Sequence, residues 1–125
     1  MSSAALIESK GSYEVTARID WLGNDLVVNL TGGESHVGAV AVAWVGHNPS
    51  HAADHVIALP GHKEDIPARE MAEGLSRALG CTVTVVAGMH WDNIDDEGIT
   101  VVLALCRRIT DRIAANAGNR TREEQ

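Results

Sequence analysis

The chain has 125 residues, 45% of them apolar and 22% charged, which is the makeup of one folded domain and too little for two. Seventeen acidic against ten basic side chains give a formal charge of -7, so there is no basic footprint for nucleic acid or for an anionic membrane surface. Four aromatic residues, Tyr13, Trp21, Trp44 and Trp91, and no Phe leave few platforms for stacked bases and a core of Val, Ile, Leu and Ala.

The opening segment MSSAALIESKGS has no basic start followed by an apolar stretch, and the longest apolar run, Val37 to Val45, is far below the roughly 20 residues of a membrane helix. A cytoplasmic protein with no membrane segment is expected. From Ser12 to Asn24, Tyr13, Val15, Ala17, Ile19 and Trp21 alternate with polar residues, the period of a half-buried strand. Gly23-Asn24-Asp25 is turn chemistry, and Leu26, Val28 and Leu30 resume the alternation, which predicts a hairpin ending in the turn Thr31-Gly32-Gly33-Glu34. A third strand, about His36 to Val45, is apolar at nearly every position and rich in Gly and Ala, so something approaches it closely. After a polar loop from His47 to Asp54 comes a short strand, His55 to Leu59.

Beyond Pro60-Gly61 the period becomes helical. Ile66, Met71, Leu75, Ala78 and Leu79 share a face, Pro67 is tolerated in the first turn, and Gly80 supplies the stop. Cys81 to Ala87 (CTVTVVA) is a β-branched strand, and Asn93 to about Ala115 a second helix carrying Ile99, Val102, Cys106, Ile109 and Ile113. Acidic residues in its first turn and Arg107, Arg108 and Arg112 toward its end suit the helix dipole. Cys81 and Cys106, single and inside apolar runs, read as buried reduced thiols.

The expected fold is α+β, in the order β-β-β-β-α-β-α, with a sheet antiparallel except for its last pairing and two helices on one face. It forms one domain over 1–125, with an ordered core of about 12–116 and a flexible tail of 118–125. Two helices cover one sheet face only, while the third and fifth strands are apolar on both. Val101 and Leu105 add a stripe outside the core face of the second helix. A symmetric homodimer accounts for this surface.

Two loops resemble each other. Gly61-His62-Lys63-Glu64-Asp65-Ile66 and Gly88-Met89-His90-Trp91-Asp92-Asn93-Ile94 each hold a glycine, an imidazole, a carboxylate and a helix start. A β-α-β crossover makes the strands before them parallel, so both loops leave the same end of the sheet, where the third strand begins. The turn Gly32-Gly33-Glu34-Ser35-His36 joins them, and three histidines meet around two helix N-termini, with His47, His51 and His55 at the opposite end.

Gly32 and Gly33 let amides approach an anion, helix starts at Asp65 and Asn93 add partial positive charge, and Lys63 adds a full one, so a phosphate suits this end. His36, His62 and His90 could donate to phosphate or a polar heterocycle or bind a metal, with Asp92 to orient one. Trp91 could cover an aromatic ring. The alternative is that Asp65, Asp92 and Asn93 only cap helices and the histidines are loop polars. At the other end, a short helix from Asn48 and Pro49 would bring His51 and His55 to one face beside Asp54, but no fourth metal ligand accompanies them and a solvated loop is favoured. Neither cysteine nor Ser35 or Ser50 has the setting of a nucleophile.

On the residues Thr31-Gly32-Gly33…His36-Val37-Gly38-Ala39-Val40, Leu59 to Asp65 and Val86 to Ile94, the chain resembles the LpdD-type prenylated-flavin chaperone family, from about Tyr13 to Ile113. The resemblance implies a non-enzymatic carrier of prenylated FMN, or of FMN, that assists cofactor maturation or insertion into a UbiD-type aryl acid decarboxylase such as gallate decarboxylase. A flavin prenyltransferase would supply its cargo. It implies a cofactor site at Gly32, Gly33, His36, His62, Lys63, His90 and Asp92, with Trp91 beside them. Two other functions fit the residues: a metalloprotein or small metal-dependent hydrolase built on His36, His62 and His90 with Glu34 or Asp92 as base, and a structural small subunit of a decarboxylase complex.

Overall fold

Residues Ser3–Lys10 form a strand, β1, ahead of the first alternating segment, and it pairs antiparallel with Tyr13–Leu22 (β2) from Ser3 opposite Asp20 to Lys10 opposite Tyr13. The structure is a computed structural model and describes residues 3–46, 52–60 and 64–124. β2 pairs antiparallel with Asp25–Gly33 (β3), and the turns at either end of β2 pass through Gly11 and Gly23, both at positive φ (61° and 62°), where a Cβ would be strained. Ala39–Val45 (β4) pairs antiparallel with Ala52–Ala58 (β5), and helix α1 covers Asp65–Leu79. Strand β6, Val83–His90, precedes helix α2, Asp96–Glu124, whose side chains are described as far as Ala117.

The class is the α+β fold expected, with one more strand than the pattern suggested: β-β-β-β-β-α-β-α, in a sheet of order β1-β2-β3-β6-β4-β5. The last strand is the one that pairs parallel, with β3, and it lies antiparallel to β4 on its other side. β1 gives no strong strand signal because its core-facing positions hold Ala4, Leu6 and the charged Glu8. Glu8 is held by α2, with Arg112 Nη1 at 2.7 Å and Arg108 Nη1 at 3.4 Å, and Arg112 also donates to the Ile7 carbonyl at 3.1 Å. The arginines expected to serve the end of the second helix lie in its middle and fasten it sideways, Arg107 reaching Glu70 of α1 at 3.2 Å.

One sheet face and both helices enclose the core. Val15, Ala17, Ile19, Leu26, Val28, Leu30, Val83, Val85 and the alanines 39, 41 and 43 pack against Met71, Leu75, Val102, Leu105, Ile109 and Ile113. The small side chains of β4 admit α1, which is the close approach their composition foretold. The helix faces are rotated from the expected ones. Ile66, Ala78 and Ile99 point to solvent, and Leu105, expected on an outer stripe with Val101, is 1% exposed and central to the core. Val101 is half-buried against that core.

β5 and α1 are joined by a charge network. Arg69 lies 3.6 Å from Asp54, and Arg77 lies 3.8 Å from Glu73. A hydrogen bond to Asp54, then burial, raises the Glu73 carboxyl above its ordinary value. A raised folded-state value means stability that is full at low pH and is lost as pH rises through the titration of Glu73. Glu73→Gln, which keeps a donor toward Asp54, flattens that decline with rising pH in urea unfolding followed from pH 4 to 8. Leu105→Ala costs about 2–5 kcal/mol in the same measurement, as a cavity in a closed core, while Ile99→Ala changes it by about 0.5 kcal/mol or less.

Candidate functional site

Because β6 runs with β3 and against β4, the ends of β3, β5 and β6, the start of β4 and both helix starts share one end of the sheet. Of the turns expected there, the one after β3 and the one after β6 meet, with β3 extended to Gly33 and β6 to His90, beyond their predicted limits. Glu64 at the start of α1 joins them, while Gly61, His62 and Lys63 of the third turn lie outside the described residues. Gly33 lies opposite His90, the Glu34 N–H donates to the His90 carbonyl at 2.9 Å, and the Gly38 N–H donates to the Ala87 carbonyl at 2.9 Å. The segment between folds over the end of β6. A Cβ at Gly88 would overlap the carbonyl oxygen of His36, so only glycine fits there.

His36 is held from both sides. Its Nδ1 lies 3.1 Å from the Glu34 carbonyl, to which it donates, and its Nε2 lies 3.0 Å from Glu64 Oε1. Glu64, just before α1, is 8% exposed and also accepts from the Met89 N–H at 3.3 Å. Gly38 makes room for it, since a Cβ there would overlap the Glu64 carboxylate. One buried carboxylate therefore ties the β3–β4 connection, the end of β6 and the start of α1 together. With both ring nitrogens engaged, His36 acts here as a bracket for the site.

His90 differs. It is half-exposed, with Nε2 3.0 Å from Oδ1 of the solvent-facing Asp92, which orients the ring. Trp91 turns inward. It meets Tyr13 edge-on at 5.5 Å, and a Cβ at Gly32 would lie 2.6 Å from its Cη2. Gly32 and Gly33 thus admit the chain's own Trp91 and His90 backbone, and the φ of 61° at Gly33 makes that turn. His62, Lys63 and Gly61 lie outside the described residues, as do His47 and His51. His55 sits within β5, not on a helix, and stacks on Trp44 with centroids 5.8 Å apart.

The two helix starts are unequal. Asp95 caps α2, accepting from the Gly98 N–H at 2.8 Å, so the helix begins two to three residues later than expected and Asn93, at φ 58°, belongs to the turn before it. Glu64 makes no side-chain cap on α1, whose first turn offers the Asp65 and Ile66 amides while Pro67 has none to offer. Among the described residues, the first-turn amides without a side-chain cap and the oriented imidazole of His90 are donors of the kind an anion takes. Val37, Leu59, Ile66 and Ile99, in the segments that bound this end of the sheet, are exposed apolar side chains.

Glu64 is the residue that pattern reading passed over. It lay inside a recognised motif, and the paired signal was Gly38, a glycine in a strand pattern that marks the space its carboxylate fills. Among the described residues, no three His, Cys, Asp or Glu side chains are grouped to hold a metal ion. Burial pushes the Cys106 thiol up to about 12, and burial with Asp25 nearby raises Cys81, so neither is a ready nucleophile. No described helix is long and apolar enough to cross a membrane.

With this geometry in view, comparison with known proteins defines the class. The sequence matches the prenylated flavin chaperone LpdD-like domain over residues 9–118, and the chain belongs to that family of chaperones rather than of enzymes. Its fold is similar to that of a chain in the crystal structure of a novel chaperone complex for yeast 20S proteasome assembly, with a TM-score of 0.64 and 16% identity over 93% of this chain and 97% of that one. No curated protein matches the sequence.

Glu64→Ala strands the Met89 amide and His36 Nε2 and costs about 1–3 kcal/mol, whereas Glu64→Gln, which still offers an oxygen, costs less. Gly88→Ala disrupts the site end more than either. Chemical denaturation ranks the three, and amide exchange at Glu34, Gly38 and Met89 shows where each variant opens.

Proposed function

We propose that this protein is a non-enzymatic carrier that binds prenylated FMN at the helix-start end of its sheet and assists the cofactor's maturation or its insertion into a UbiD-type aryl acid decarboxylase. The observation that carries this is the junction of the β3 end, the β6 end and the uncapped start of α1, braced from within by Glu64 and presenting His90 outward. Membership of a prenylated-flavin chaperone family supports the choice of ligand. His90, Asp92 and the segment holding His62 and Lys63 would receive the phosphate and polar edge, with Gly32, Gly33, His36 and Trp91 shaping the cradle from behind. Prenylated FMN supplies electrophilic chemistry to the enzyme that receives it, and the carrier needs only to bind, orient and release it.

An open site suits release. Two crevices among the described residues lie elsewhere, one between α1 and α2 and one between β1, β2 and α2. The partners are the flavin prenyltransferase that makes the cofactor and the decarboxylase that takes it, in the cytoplasm, with the carrier a homodimer. Plain FMN would bind through the same phosphate contacts and lack those to the apolar rim.

Ligand that binds only the folded state stabilises it by about 2.7 kcal/mol at a hundredfold excess over Kd. Prenylated FMN therefore raises the melting temperature more than FMN does, and equal shifts would remove prenyl recognition from the proposal. His90→Ala weakens binding by about 1.5–3 kcal/mol, the worth of a hydrogen bond to a charged group, while His55→Ala leaves it unchanged in isothermal titration.

A further inference from the structure

The sheet face turned away from both helices carries two adjoining cross-strand rows. Register places Arg18, Asn29, Val86, Val40 and Ile57 in one row, across β2, β3, β6, β4 and β5. Asp20, Val27, Thr84, Val42 and His55 form the next. The β6–β4–β5 half is mostly aliphatic, with Ile57 65% exposed, and the β2 end of each row bears one charge. Arg18 is exceptional. Arg69, Arg77, Arg107, Arg108 and Arg112 each lie within reach of a carboxylate, whereas Arg18, among the described residues, has no such partner, and neither does Asp20 have a basic one.

We infer that this face is the interface of the homodimer, with the two-fold axis lying in the plane between the sheets, across the strands and midway between the two rows. The inference rests on the homodimer put forward above and names its surface and register. Symmetry and charge select the axis. A two-fold across the strands lays β4 on β4 and β2 on β2, so aliphatic meets aliphatic, and it reverses the order of the rows. Placed on the first row it sets Arg18 against Arg18, and placed on the second it sets Asp20 against Asp20. Midway, Arg18 of each copy meets Asp20 of the other, Val40 meets Val42 and Val86 meets Thr84. A two-fold along the strands, centred on the sheet, would lay the aliphatic β4–β5 side on the polar β1–β2 side. Packed sheets rotate by about 30° relative to one another, an offset at β2 that a long arginine side chain spans.

The same face carries the Trp44–His55 stack, which closes the β5 side of the aliphatic strip. The candidate cofactor site lies at the end of the sheet, clear of this face, so both copies keep it open.

Sedimentation velocity of the full chain tests the inference, with circular dichroism confirming that each variant folds. The unmodified protein is expected to be dimeric, and Val42→Lys to make it monomeric. Arg18→Asp and Asp20→Arg each set like charges together across the interface and weaken self-association roughly tenfold or more. An equimolar mixture of those two variants recovers dimer, because each copy then meets its opposite charge on the other. Loss of dimer on each single reversal is peculiar to this register, because an axis on either row already sets like charges together in the unmodified protein, and recovery on mixing shows that the loss is electrostatic. A monomeric unmodified protein overturns the homodimer reading itself. A dimer indifferent to Val42→Lys, or single reversals that stay dimeric or fail to recover on mixing, overturn the interface named here and leave the homodimer standing. If Val42→Lys instead abolishes binding to a UbiD-type decarboxylase while the dimer persists, the face belongs to the enzyme and the inference is overturned.

Discussion

Strand β6 is the constraint on which the architecture depends. The first three strands form one antiparallel meander, and β4 with β5 forms a hairpin. Among the described residues, these two pieces are joined within the sheet through β6, which lies parallel to β3 and antiparallel to β4. Its two directions fix which ends of its neighbours meet. The close of β3, the start of β4 and the entry to α2 are adjacent because β6 stands between them. Val83, Val85 and Ala87, all fully buried, also make it the floor on which α1 rests.

The site inherits its rigidity from that junction and its chemistry from what is left outward. Glu64 is a carboxylate taken almost wholly out of solvent, which is costly unless its oxygens are matched. His36 and the Met89 amide both meet its Oε1, and in doing so they hold three chain segments in one place. His90 and Asp92 keep their exposure and stay available to a visitor. A site rigid beneath and open above is suited to holding a molecule that must later leave.

Much of this was legible in the sequence. Period-2 alternation marked β2 and β3, Gly80 ended α1 with a left-handed cap at φ 65°, and the crossover rule put the end of β6 and the start of α1 at one end of the sheet. Other features were hidden for physical reasons. β1 carries a charge where the pattern wants an aliphatic, and only the tertiary pairing of Glu8 with Arg108 and Arg112 resolves it. The helix faces were misjudged at Ile66, Ile99 and Leu105 because first-turn residues overhang the sheet and Leu105 lies between α2 and the strands, facts that periodicity alone does not contain. Gly32 and Gly33 read as an anion cradle, yet the nearest thing they admit is Trp91 and the backbone of His90.

The central position of β6 also bears on how the chain is made. It is the sixth strand in chain order, so the edges of β3 and β4 that it will occupy stay unpaired until Val83–His90 has left the ribosome. Both edges are rich in buried positions, Leu26, Val28 and Leu30 on one and Ala39, Ala41 and Ala43 on the other. Pairings of high sequence separation form slowly, and unpaired apolar edges invite contact with other chains. Nascent copies interrupted before Val83 would hold a meander and a hairpin with a gap between them, a state suited to capture by a general folding factor or to mispairing between neighbours on one polysome. A chaperone of this design therefore completes its sheet only once its sixth strand has been made.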